Sequence, residues 1–232
     1  MMKKFLKRIM SVGRTGRNYK KKDYLQAYRE HTDYRVDKDP EDAIGGLWDE
    51  IGALQYQFLL AQGLQPAHRL LDYGCGTLRG GRFFIEYLEP GKYVGVDISR
   101  NVVAKAQELI RNENLADKKP ELIWNENASL DFSEVGYKKY DLIIAQSVFT
   151  HLLPEHIKTC IGNVKRVMKN DGRFYFTNFD ADEFTKRSVK DFAHPASFYR
   201  DLADDYAFDL EDLSNLYPHP RGQSMYVLTN RA

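Results

Sequence analysis

Residues 70–81 read LLDYGCGTLRGG, an apolar run that ends in one aspartate and is followed by four glycines. The leucines before Asp72 are typical of a short buried strand. Glycine lets the backbone adopt a positive φ and pass close to a ligand. In open α/β sheets, ligands bind beyond the carboxyl ends of the strands. The stretch therefore predicts a first strand that leads into a ligand-binding loop around Gly74, Cys75 and Gly76.

Apolar runs and helical periodicity alternate along the rest of the chain. Strands are expected near residues 68–74, 92–97, 121–125, 140–146 and 173–179. Helices are expected near residues 47–63, 78–88, 100–114, 154–168 and 195–205. Two more strands, at 206–213 and 223–229, are expected to pair as an antiparallel hairpin at one edge. The pattern predicts an α/β fold: a doubly wound, Rossmann-like sheet, mostly parallel, with an antiparallel C-terminal hairpin strand and helices on both faces.

Composition limits the class of protein. The chain has 232 residues, 43% of them hydrophobic and 29% charged, which is typical of one globular domain. Two cysteines, Cys75 and Cys160, are too few for a disulfide framework and favour a reducing cytoplasm. The sequence has no apolar run near the ~20 residues that cross a bilayer and no zinc-type spacing of ligands. We therefore expect a cytoplasmic protein without a metal.

Positive charge is concentrated at the N-terminus. Residues 1–22 hold nine Lys or Arg and no acid, so the other 25 basic and 33 acidic residues sum to −8. Residues 1–40 are expected to form a basic, partly flexible arm or lid, and residues 41–232 the main domain. Three interpretations of residues 1–22 stay open: a solvated terminus, contact with an anionic membrane surface, and contact with nucleic acid. The acidic body disfavours nucleic acid.

A second acid indicates what the glycine loop binds. Asp97 ends the second strand, 21 residues after Gly76, where a carboxylate can accept hydrogen bonds from both ribose hydroxyls. A dinucleotide site needs G-x-G-x-x-G, whereas Gly80 here comes one position late. Asp72 would also repel a pyrophosphate but suits a ligand with a cationic centre. The pattern favours a cationic nucleoside ligand and disfavours an NAD-type oxidoreductase.

Five segments, in order, resemble the motifs of class I S-adenosylmethionine (SAM)-dependent methyltransferases of the small-molecule type. They are residues 71–77 (LDYGCGT), 93–97 (YVGVD), 127–131 (NASLD), 140–147 (YDLIIAQS) and 169–174 (KNDGRF). The resemblance covers about residues 47–230. Two positions depart from the family: Leu78 stands where a third glycine is usual, and Asn127 where an acid is common.

The resemblance implies SAM as cofactor and assigns roles by position. The backbone around Gly74 and Gly76 would pass the methionine moiety, Asp72 would place its amino group, and Asp97 would hold the ribose. Asn127 and the following backbone would hold adenine. The implied cofactor-binding set is Asp72, Gly74, Cys75, Gly76, Asp97, Ile98, Asn127, Ala128, Ser129 and Gln146. Within it, Cys75 is expected to be a small packing residue rather than a nucleophile.

The acceptor side has fewer signals. Transfer from a sulfonium is a direct displacement, to which orientation contributes strongly, and an oxygen acceptor also benefits from a base. His151, just after the fourth strand, is the candidate base; a purely structural role for it stays open. Residues 217–222 are a candidate acceptor rim. Aromatic residues near the N-terminus are candidates for a lid: Tyr19, Tyr24, Tyr28, Tyr34 and Trp48.

The expected function is methyl transfer to an oxygen or nitrogen of a small-molecule or saccharide acceptor. Two alternatives remain: an RNA methyltransferase that uses the basic arm, and a SAM-binding pseudoenzyme without turnover. Against the RNA alternative, residues 145–149 read AQSVF, and no N-P-P-Y-type motif for base amination follows the fourth strand. Membrane-surface contact through residues 1–22 would place the protein at a membrane and an acceptor near it.

Overall fold

A parallel sheet forms the centre of the molecule. The computed structural model describes residues 23–38 and 46–231. Within them a seven-stranded sheet has the order β3-β2-β1-β4-β5-β9-β8. Its strands are β1 (Leu70–Tyr73), β2 (Tyr93–Asp97), β3 (Glu121–Trp124), β4 (Tyr140–Ala145), β5 (Met168–Asn178), β8 (Phe208–Asp212) and β9 (Ser224–Asn230). A separate antiparallel pair consists of β6 (Thr185–Lys186) and β7 (Phe192–Ala193).

The pairing of the strands confirms the expected topology. Strands β1 to β5 pair in parallel, and β9 is antiparallel to both β5 and β8. Strand order reverses between β1 and β4, so their carboxyl ends, with that of β2, border a crevice where ligands bind in such sheets. The C-terminal hairpin forms the edge beyond β5, as its turn residues indicated.

Helices cover both faces of the sheet. The described part of the chain holds α1 (Tyr24–Val36), α2 (Trp48–Ala61), α3 (Gly81–Tyr87), α4 (Arg100–Asn112), α5 (Pro154–Val164) and α6 (Ala196–Asp205). Alternate residues of β1 face opposite ways: Leu71 joins the core under α5 and α6, and Leu70 joins the core under α2, α3 and α4. Ser99 caps α4 by accepting a hydrogen bond from the Val102 amide, as expected. None of these helices is long and apolar enough to cross a membrane.

Two helix boundaries differ from the expectation by three residues or more. Helix α3 begins at Gly81 instead of residue 78, because Leu78 has φ +71° and cannot be part of a right-handed helix. Helix α5 ends at Val164 instead of residue 168, because Met168 already pairs with Tyr140 as the first residue of β5. Apolar periodicity alone could not separate the last turn of a helix from the first residue of a buried strand.

Helix α1 was not expected from the sequence. Asp23 caps it by accepting hydrogen bonds from the amides of residues 25 and 26. The Arg29 guanidinium donates to the carbonyls of Asn125 (3.1 Å) and Glu126 (2.6 Å), and the Tyr24 hydroxyl donates to the His151 carbonyl (2.7 Å). The helix therefore lies across the loops that follow β3 and β4. The basic segment 1–22, Tyr19 and the proposed boundary at residue 40 lie outside the described residues.

Candidate cofactor and acceptor site

A cavity of about 650 Å³ lies at the carboxyl ends of β1, β2 and β4, beside α1. It brings together eight of the eleven residues that the sequence proposed as cofactor ligands or as the base: Asp72, Gly74, Cys75, Gly76, Asp97, Ile98, Gln146 and His151. Asn127, Ala128 and Ser129 are not among its lining residues. Two halves can be distinguished, one around the glycine loop and Asp97, the other around His151.

The backbone of the glycine loop has a left-handed conformation at two glycines and leaves no space for a side chain at one of them. Gly74 has φ +82° and Gly76 has φ +57°. A Cβ on Gly74 would lie 2.4 Å from Cγ2 of Val148, which no real Cβ tolerates. Leu78, one of the two positions that depart from the resemblance, has a left-handed conformation at φ +71° and is fully buried. This conformation costs a leucine about 1 kcal/mol of backbone energy.

Asp97 ends β2 with its carboxylate at the loop. Its Oδ2 accepts from the Gly76 amide (3.2 Å) and its Oδ1 from the Ser99 amide (2.9 Å). Burial raises its pKa to about 6, and these amides act in the opposite direction. A carboxylate oxygen has two lone pairs, so both oxygens can still accept from a ligand's hydroxyls.

Asp72 is a buried acid directly before the loop. Its Oδ2 accepts from the Tyr93 hydroxyl at 2.8 Å. Burial raises its pKa to about 7, against the hydrogen bond from Tyr93 and the nearby charge of Arg79. A cationic ligand would stabilise the ionised form. Burial likewise raises the pKa of the Cys75 thiol well above its usual range, which leaves that residue protonated and inert.

Beyond β3, the cavity wall comes from Asn125 and Leu130. Asn125 is buried and holds the loop closed: its Nδ2 donates to the Ser129 carbonyl (2.7 Å) and its Oδ1 accepts from the Ser129 amide (3.1 Å). Asn127 is exposed, on a turn that continues through Ala128 at φ +51°. Sequence reasoning missed Asn125, although it is the polar residue that directly follows a strand, the signal that identified Asp97.

Gln146 is fixed by the C-terminal segment. Its Oε1 accepts from the Tyr217 hydroxyl (2.7 Å), and its Nε2 lies 3.2 Å from His219 Nε2 and 3.3 Å from Gln223 Oε1. Burial, with Arg79 and Arg221 nearby, lowers the pKa of His219 to about 4. This neutral, buried network connects the end of β4 to the segment that was expected to form a rim. Of that segment, Arg221 lines the cavity.

His151 is held by a segment that the sequence did not connect with it. Its Nδ1 lies 2.8 Å from the Lys190 carbonyl and 3.1 Å from Asp191 Oδ1. Burial alone would raise the pKa of Asp191, but hydrogen bonds from His151 and Ser188 hold that pKa well below its usual range. Two acceptors at Nδ1 favour the tautomer with its proton there, which leaves Nε2 as the basic nitrogen.

The remaining wall of the His151 half comes from α1 and from the segment between β5 and β7. Helix α1 contributes Tyr28, whose ring lies 5.1 Å from that of His151, and also His31 and Arg35. Phe179 and Arg187 also line the cavity. Of the aromatic residues proposed as a lid, Tyr28 lines the cavity, Tyr24 contacts the loop after β4, and Tyr34 is half exposed.

The first half of the cavity fits the cofactor that the resemblance implies. Asp97 presents acceptors for ribose hydroxyls, Asp72 presents a buried carboxylate for an amino group, and the Gly74 backbone leaves no room for a side chain. Among residues 23–38 and 46–231, no three His, Cys, Asp or Glu side chains are grouped to hold a metal ion.

Comparison with known proteins finds a matching domain family and solved structures of similar fold. Residues 71–174 match a family model described as a methyltransferase domain. Magnesium protoporphyrin IX methyltransferase from Synechocystis, solved with bound SAM, is 15% identical, with a TM-score of 0.67 over 90% of this chain and 98% of that one. The CcbJ methyltransferase from Streptomyces caelestis is 17% identical, with a TM-score of 0.64 over 88% and 98%. A SAM-dependent methyltransferase from Clostridium acetobutylicum is 14% identical, with a TM-score of 0.62 over 86% and 97%.

Proposed function

We propose that the chain is a class I SAM-dependent methyltransferase that transfers the methyl group of SAM to an oxygen or nitrogen of a small-molecule or saccharide acceptor. When bound, SAM supplies an electrophilic methyl group on its sulfonium. The proposal assigns the glycine-loop half of the cavity to the cofactor and the His151 half to the acceptor.

The observation that carries the acceptor assignment is the contact between His151 Nδ1 and Asp191 Oδ1, at 3.1 Å on the cavity wall. A base held in one tautomer by a carboxylate can remove a proton from an acceptor hydroxyl in the orientation that transfer needs. Asp191 is the positioning residue: it holds the ring and stabilises the imidazolium that forms.

Other residues shape the acceptor space. Tyr28 and Phe179 present aromatic surface to the acceptor space. This surface excludes water, and the ring of a cyclic acceptor can pack against it. Gln146, which follows β4, lines the cavity and is held by its bonds to Tyr217 and Gln223. A fixed amide at this position holds the acceptor atom and the cofactor in a constant relative orientation.

The test is a screen for methyl transfer with radiolabelled SAM and fractionated small molecules and oligosaccharides, repeated with His151→Gln and Asp191→Asn. We expect kcat to fall about 100-fold in His151→Gln and about tenfold in Asp191→Asn. S-Adenosylhomocysteine (SAH) should bind both variants within twofold of wild type. Loss of the acidic limb of the pH–rate profile in His151→Gln would distinguish a base from a structural residue. Full activity of His151→Gln would refute the assignment.

RNA as the acceptor is tested in the same assay. Replacement of residues 20–22, all lysine, by alanine removes three charges from the basic arm. On a soluble small acceptor we expect an unchanged rate, because every residue proposed to bind the cofactor or the acceptor lies beyond residue 22. Methylation of RNA that is lost in this variant would instead support the RNA methyltransferase alternative.

A further inference from the structure

Three cationic side chains line the acceptor half of the cavity: Arg35 on α1, and Arg187 and Lys190 in the segment between β6 and β7. We call them the cationic cluster. They stand out because the chain beyond residue 22 carries a net charge of −8. The two acids of the cofactor half, Asp72 and Asp97, belong to a different end of the cavity.

The cluster is built around the candidate base. The Lys190 carbonyl lies 2.8 Å from His151 Nδ1, and the Lys190 Nζ lies 3.8 Å from Asp191 Oδ1. The Arg187 amide donates to the Asp191 carbonyl at 2.8 Å. The tight turn that places Asp191 against His151 therefore also places both cations at the same wall.

Arg187 is oriented for a ligand in the cavity. Its guanidinium lies 4.0 Å from the centre of the Phe179 ring, and both residues line the cavity. Stacking on an aromatic ring orders an arginine side chain without using its hydrogen-bond donors. Among the described residues, no carboxylate forms an ion pair with this guanidinium, so its donors remain available in the plane of the fork.

The cationic side chains act on the wall of the acceptor half, as the pKa of His31 shows. Burial first, and then the charges of Lys190 and Arg35, lower the pKa of His31 to about 4, whereas the Asp191 carboxylate acts in the opposite direction. Low-dielectric walls focus such a field into a cleft.

We propose that the acceptor of this methyltransferase carries an acidic group, a carboxylate or a phosphate, which the cationic cluster binds while His151 faces the atom to be methylated. The inference rests on the proposed function and narrows its substrate class. A planar guanidinium can bind either oxyanion through two parallel hydrogen bonds. Recognition by Arg187 and Arg35 would orient the acceptor and reject its neutral analogues.

The experiment measures anion binding to the complex of the full-length protein with SAH, by calorimetry at low ionic strength. The probes are malonate, inorganic phosphate and the neutral, similarly shaped malonamide. SAH binding is measured first in every sample, so that failure of the cofactor site is recognised separately. The variants are Arg187→Gln and the double variant Arg35→Gln/Arg187→Gln. The matched control is Arg166→Gln, on an exposed residue outside the cavity.

We expect one equivalent of malonate or phosphate to bind at least fivefold more tightly than malonamide. Arg187→Gln should weaken the anion about threefold and the double variant about tenfold, whereas Arg166→Gln should have no effect. Preference for malonate would identify a carboxylate acceptor, and preference for phosphate a phosphoester. Normal SAH binding without saturable anion binding, equal affinity for malonamide, or insensitivity to the double variant would each overturn the inference. Loss of SAH binding by the wild-type protein would contradict the proposed function itself.

Discussion

Protonation of Asp72 should control cofactor affinity near neutral pH. Burial raises the pKa of this carboxyl to about 7, and the structure places it where the cationic amino group of the cofactor is proposed to bind. If only the ionised form binds, the apparent Kd is multiplied by a factor of about 1.1 at pH 8 and about 11 at pH 6. SAH should therefore bind about tenfold more weakly at pH 6. Asp97, with a pKa of about 6, adds about a further factor of two.

The matched variant is Asp72→Asn, which keeps an oxygen to accept the Tyr93 hydrogen bond. It should bind SAH weakly at both pH values, with a pH dependence of no more than about twofold. The assay is calorimetric titration with SAH at pH 6, 7 and 8 in buffers corrected for proton uptake. A wild-type Kd that is flat across this range, or an Asp72→Asn variant that retains the tenfold change, would refute the assignment of Asp72.

The same group makes the ligand-free protein less stable at high pH. The folded pKa of Asp72, about 7, lies above its usual value of 3.8, so the folded state holds the proton more tightly than the unfolded state does. Its contribution to stability is therefore present at low pH and is lost as the pH rises through 7. Between pH 6 and pH 8 the ionisation of Asp72 should lower the free energy of unfolding by about 1.4 kcal/mol, and this contribution should be absent in Asp72→Asn. Urea titrations at both pH values check the sign.

Two further substitutions test the glycine loop and the contact of α1 with the loop after β4. Gly74→Ala should abolish SAH binding and destabilise the protein by about 2 kcal/mol, since φ is +82° and the new Cβ would lie 2.4 Å from Val148. Gly91→Ala is the control, because φ is +77° there but the new Cβ would meet no atom within 4 Å. We expect this variant to lose about 1 kcal/mol of stability and to bind SAH normally. Equal losses of stability in Gly74→Ala and Gly91→Ala would contradict the steric explanation. Tyr24→Phe removes the 2.7 Å hydrogen bond to the His151 carbonyl and should lower the free energy of unfolding by about 1 kcal/mol in chemical denaturation. An unchanged free energy of unfolding would contradict the placement of α1 against this loop.

The sheet and the cofactor half could be predicted because their signals are local. A parallel strand buried on both faces is a run of apolar residues, and the residue at its carboxyl end lies at the binding edge by topology alone. Asp72, Asp97 and Gln146 follow from that rule. The backbone conformation of Leu78 does not, because leucine only rarely has a positive φ, and tertiary packing holds it there.

The acceptor half could not be predicted because its contacts are remote in sequence. Asp191 reaches His151 only because β6 and β7 turn the chain back over the end of β5, and two-residue strands leave no periodicity to detect. Helix α1 was missed for a related reason: it is polar on most of its surface, and only Ala27 and Val36 are buried. Its position depends on polar contacts such as that of Arg29, which no sequence pattern indicates.

The most direct test of the account is calorimetric titration of the protein with SAM, SAH and NADH, with Asp97→Ala alongside. The account predicts saturable one-to-one binding of SAM and SAH, loss of both in Asp97→Ala, and no binding of NADH. Circular dichroism confirms that each sample is folded. Failure of a folded wild-type protein to bind either adenosyl ligand, or tight binding of NADH at the same site, would contradict the assignment of this cavity to SAM.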